Sequence, residues 1–98
     1  MSVNFGKVSE DTELILYGFI TVFYNDNDGN IIGKQFCDNE EKNYTLRDCY
    51  NIAVENGFDV TAHNTICVMA EGMLHGDIYR YGNHGDFWER VGETVGLA

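Results

Sequence analysis

The chain has 98 residues, enough for one domain, and 44% of them are hydrophobic, which excludes wholesale disorder. Sixteen acidic against six basic residues give a formal charge of −10. That balance argues against direct binding to nucleic acid or to an anionic membrane, both of which need clustered Lys and Arg.

Residues 1–12 are polar and read as a lead-in, with residues 13–98 as a single α+β domain. The lead-in lacks the basic start and apolar run of a signal peptide. Glu13–Asn25 is rich in β-branched and aromatic residues and predicts a strand. Both of its alternating sets are apolar. Leu14, Leu16, Ile20 and Val22 form one side; Ile15, Tyr17, Phe19 and Phe23 form the other. Its apolar run is far short of the ~20 residues needed to cross a bilayer.

Asn25–Asn30 reads as a turn, with Asp28-Gly29 supplying positive φ angles. Ile31–Cys37 returns as a second strand. Tyr44–Gly57 is the one stretch with clean helical periodicity. At about 100° per residue, Leu46, Cys49, Tyr50, Ile52, Ala53 and Val54 share a face, opposite Arg47, Asp48, Asn51 and Glu55. Thr45 and Asp48 are placed as a capping box, and Asn56-Gly57 as a stop, bounding a helix at about 45–56. Thr65–Ala70, Asp77–Tyr81 and Phe87–Val91 follow as three more strands. The two glycines within 92–98 favour strand or coil over a last helix.

The predicted order is β-β-α-β-β-β: an antiparallel sheet of about five strands with one helix packed on one face. Five strands span roughly 20 Å, whereas a helix is about 10 Å wide. One helix cannot cover two apolar faces. The sheet could curl around the helix, the first strand could bend at Gly18 and join two sheets, or the second face could meet another chain. Large exposed apolar patches mark interfaces, so contact with another chain is the expectation. It implies a homo-oligomer, with a dimer the simplest form.

The motifs for chemistry are weak. The turn over residues 24–35 places Asp26 and Asp28 at two positions of a calcium loop, but Tyr24 and Gln35 stand where the first ligand and the final Glu belong. An ordinary hairpin loop accounts for it. Cys37, Cys49 and Cys67, with His63, His75 and His84, lack zinc-ligand spacing, so no metal and no cofactor is expected. Cys67 or Cys37 with a histidine is the one nucleophile option. Both lie in strands rather than at a helix N-terminus, so reduced core thiols and a cytoplasmic location are expected. The only serines, Ser2 and Ser9, lie in the lead-in. Asp77, Asp86 and Glu89 fall near one hairpin, as chance allows among sixteen acids.

The last hairpin gathers Tyr79, Arg80, Tyr81, His84, Trp88 and Arg90, residue types enriched at binding hot spots. With Tyr17, Phe19 and Phe23 of the first strand and Met73-Leu74 in a turn, they form the candidate interaction surface. The alternative is cross-strand packing of the same aromatics. In composition the chain resembles the small acidic, proline-free accessory proteins carried by bacteriophages and conjugative elements. That resemblance implies an inhibitor presenting carboxylates to a basic partner. The leading expectation is a self-associating protein-interaction module. Its rival is a small enzyme or ligand-binding protein with a pocket near His75, Tyr79, His84 and Trp88.

Overall fold

The structure is a computed structural model that describes residues 6–14, 18–26, 28–37, 44–58, 64–72, 75–82 and 87–95. It is an α+β fold. The strands are β1 (Gly6–Val8), β2 (Phe19–Asn25), β3 (Ile31–Cys37), β4 (Ile66–Glu71), β5 (His75–Tyr81) and β6 (Trp88–Val95), with one helix, α1 (Leu46–Glu55), between β3 and β4. All six strands lie in one sheet in the order β1-β6-β5-β4-β2-β3, and every neighbouring pair is antiparallel. No described helix is long and apolar enough to cross a membrane.

The sheet has six strands rather than five, because Gly6–Val8 of the polar lead-in pairs with β6. Three residues carry little strand signal of their own, and β6 supplies the pairing. The first predicted strand is shorter than expected: the chain bends at Gly18 and β2 begins at Phe19. Upstream, Glu13 bridges Thr45 and Leu14 is buried against the core. Predicted residues 15–17 lie outside the described ones. The last strand runs through Gly92 to Val95, where Ile78 of β5 packs over the bare Gly92.

The helix forms where its caps are written. Thr45 Oγ1 accepts from the Asp48 amide at 3.2 Å, and the Thr45 amide donates to the Asp48 carboxylate at 2.9 Å. The lead-in supplies more: Leu46 N–H donates to the Thr12 carbonyl and Arg47 N–H to the Glu10 carbonyl. Amides that a helix N-terminus normally leaves to water are thus all answered by the chain. At the other end Gly57 takes φ 108°, and Phe58 and Gly57 donate back to the carbonyls of Ala53 and Val54, as in a Schellman stop. Thr45→Ala is expected to lower stability by about 1 kcal/mol, read as a lower urea midpoint at unchanged slope.

Leu46, Cys49 and Ala53 sink into the sheet, while Val54, assigned to the same apolar face, is 39% exposed at its rim. The helix rests on β2 and β4. It covers Ile20, Val22, Ile66, Val68 and Ala70, all fully buried. Aromatic rings extend that cover sideways. Tyr50 of the helix meets Tyr81 at 5.3 Å between ring centroids, and Tyr81 meets Trp88 at 5.3 Å. The register continues this line across the whole sheet: Val8, Trp88, Tyr81, Ile66, Tyr24 and Ile32 are successive cross-strand neighbours. A narrow helix thereby closes one face of a six-stranded sheet.

Candidate interaction surface

Side chains alternate along each strand, so the residues between those core positions point to the opposite face. The next cross-strand line reads Lys7, Glu89, Arg80, Cys67, Phe23 and Gly33. Beside it lie Ile78, Met69 and Thr21, and then Glu71 and Phe19. No described helix or strand crosses this face. Phe19 is 41% exposed and Ile31 is 77% exposed, while Phe23, Cys67, Met69 and Ile78 are half-buried. The Phe23 ring lies beside Gly33, where an added Cβ would meet it at 3.3 Å. A shallow hollow of about 280 Å³ opens between Phe23, Asn25, Ile31, Thr65 and Cys67.

The charge of this face differs from that of the molecule. Its described charges are Lys7 and Arg80 against Glu71 and Glu89, which sum to zero on a chain of formal charge −10. Lys7 extends over the Phe87 ring, 5.1 Å from its centroid. The surplus carboxylates therefore belong to the rest of the chain. Self-repulsion, the usual obstacle to pairing two strongly acidic copies, is weakest here.

No protein-family model matches the chain, and comparison with curated proteins and with solved structures finds no match.

The structure divides the candidate surface read from the sequence. Phe19, Phe23 and Arg80 stand on the open face. Tyr79, Tyr81, Trp88 and Arg90 point to the helix side. Trp88 and Tyr79 are core residues, 2% and 5% exposed. Residue type alone does not separate these sets, because β5 and β6 place an arginine on each face, Arg80 on the open one and Arg90 on the helix side. Tyr17, Met73, Leu74 and His84 lie outside the described residues. Ile31, Cys67, Met69 and Ile78 join the open face, although none of them was in the candidate surface read from the sequence. The signal for Cys67 and Met69 lies in Thr65–Ala70, where Ile66 and Val68 alternate with Cys67 and Met69 so that both sides are apolar.

On the helix side, past the aromatic line, Arg90 pairs with Asp77 where both side chains are 20% exposed, and reaches Glu93 at 3.3 Å. Tyr79 donates to the Asp77 carboxylate at 3.3 Å, and burial, helped by that carboxylate, pushes its hydroxyl up to about 12. Removing either Asp77 or Arg90 would strand a half-buried charge, so the pair reads as a structural clamp between β5 and β6.

Neither of the two thiols whose side chains are described is activated; the Cys37 side chain lies outside the described ones. Burial pushes Cys49 up to about 12, and burial also raises Cys67, partly offset by the nearby Arg80. Among the described residues no three His, Cys, Asp or Glu side chains converge as a metal site. In the calcium-like turn, Asp26 accepts from the amides of Asp28 and Asn30 at 2.9 Å each. Those bonds hold its carboxyl below its usual range and tie it to a hairpin loop. A second hollow, of about 260 Å³, lies between Lys7, Glu10, Tyr81, Phe87 and Trp88 at the β1–β6 edge. It shares only Trp88 with the pocket expected from the sequence, whose Tyr79 is sealed in the core and whose His84 is outside the described residues.

Proposed function

We propose that the protein is a non-catalytic interaction module that pairs with a second copy of itself through the open face of its sheet. One observation carries this reading: Phe19 and Ile31 stand exposed on an apolar face that is electrically neutral within a chain of charge −10. A second copy matches such a face in both apolar character and charge. Five strands of six to eight residues beside the three-residue β1 give roughly 500 Å² per copy, hence about 1,000 Å² buried, the threshold size of a biological interface. Two-fold symmetry would present the same patch twice.

A role as an inhibitor of a basic partner, in the manner of mobile-element accessory proteins, would use the other surface, where the surplus carboxylates lie. Such binding would fall steeply with added salt.

Light scattering after size exclusion tests the pairing. The expected species at micromolar concentration has twice the 11.1 kDa chain mass. Phe19→Asp and Ile31→Asp change exposed positions, so both should stay folded and elute as monomers. A wild-type protein that remains monomeric at the highest accessible concentration would sink the reading.

A further inference from the structure

The open face holds a cation that forms no ion pair with any described residue. Arg80 lies on β5 between Cys67 of β4 and Glu89 of β6. The residue is half-buried, and its Nε is closed off from solvent without a hydrogen-bond acceptor. The ion pairs among the described residues belong to Arg47 and Arg90. Glu89, although a cross-strand neighbour, does not come within ion-pair distance of Arg80. The flanking side chains of Cys67, Met69, Ile78 and Phe23 offer no strong acceptor.

A guanidinium donor that has lost its water and found no partner costs free energy. Buried cations persist where an anion meets them. The planar fork of an arginine fits a carboxylate in a two-bond geometry that a lysine cannot supply. The face itself carries two carboxylates, Glu71 and Glu89, neither of them in a described ion pair.

We infer that Arg80 is a carboxylate receptor whose ligand is Glu71 or Glu89 of the second copy. This inference rests on the face-to-face pairing proposed above and adds what sets its register. Apolar contact is non-directional, so two flat hydrophobic faces can slide or rotate against each other. In a two-fold pair, Arg80 of each copy meets the same glutamate of the other, giving two reciprocal ion pairs that favour one orientation.

Sedimentation equilibrium of Arg80→Met decides the sign. If the cation has a carboxylate partner, its loss leaves a glutamate buried and alone, and dimer affinity falls on the order of 30-fold. If it has none, methionine replaces a desolvated charge with apolar surface, and the dimer tightens; that result overturns the inference. Arg80→Glu gives the complementary test. Alone it is expected to be monomeric, and mixed in equimolar amount with Glu71→Arg or Glu89→Arg it regains dimer mass. The mixture that recovers names the carboxylate, and recovery in neither refutes the assignment. Circular dichroism and thermal unfolding confirm that each variant is folded. A dimer indifferent to every change at Arg80 refutes the receptor while leaving the pairing intact. A monomeric wild type refutes both.

Discussion

Gly18→Ala is expected to destabilise the protein by about 3 kcal/mol, although it adds a single methyl group. A Cβ built at Gly18 would lie 1.9 Å from the backbone carbonyl oxygen of Glu71, 2.9 Å from its carbon and 3.0 Å from the Cα of Gly72. These are backbone atoms, so no rotamer change relieves the overlap. The chain must part where Phe19 pairs with Glu71, the first rung of the central β2–β4 ladder. Gly33→Ala is the control. There the new Cβ would meet only the Phe23 ring, at 3.3 Å, and that ring can turn aside. Its cost should stay within about 1 kcal/mol, since alanine also restricts the unfolded chain. Urea unfolding of both variants gives the comparison. Equal midpoints would show that β2 and β4 do not approach as closely at Gly18 as the structure has them.

Trp88→Ala is expected to cost about 4 kcal/mol, a large share of the 5–15 kcal/mol typical of a domain. Trp88 is 2% exposed and sits between Val8 and Tyr81 in the aromatic line that carries the core beyond the helix. Without its ring, β1 loses the side chain it packs on, and β1 is held in the sheet by β6 alone. Hydrogen exchange should show Gly6–Val8 losing protection first, ahead of β2 and β4. The same substitution separates two roles. A tryptophan at a binding surface would leave stability unchanged and weaken association. Here unfolding should move, and any loss of pairing should follow the loss of fold.

The Trp88 case shows where reading from sequence stopped. Tyr79, Arg80, Tyr81, Trp88 and Arg90 form one cluster by residue type, and the sheet sends Arg80 to one face and the other four to the opposite face. Beyond this cluster, a bulge between Ile78 and Tyr79 gives β6 an extra residue, Val91, so counting in steps of two from Trp88 loses phase before Gly92. Composition cannot record such a slip. Equally hidden was β1, whose three residues gain their strand character from β6. The two-sided apolar pattern of the strands around β2 and β4, by contrast, was plain in the chain, and the open face with Phe19, Phe23, Cys67 and Met69 is its direct consequence.

By itself the sequence determined the local elements: the helix with its Thr45–Asp48 box and Gly57 stop, and the principal strands. It also determined that more apolar sheet surface exists than one helix covers. These follow from periodicity and capping, which act between residues a few positions apart. Only the tertiary structure decided which residues share a face, that the lead-in closes the helix N-terminus, and that the Arg80 Nε is buried without an acceptor among the described residues. Those outcomes depend on register between strands distant in the chain, and a shift of one residue would turn every side chain of a strand to the other side.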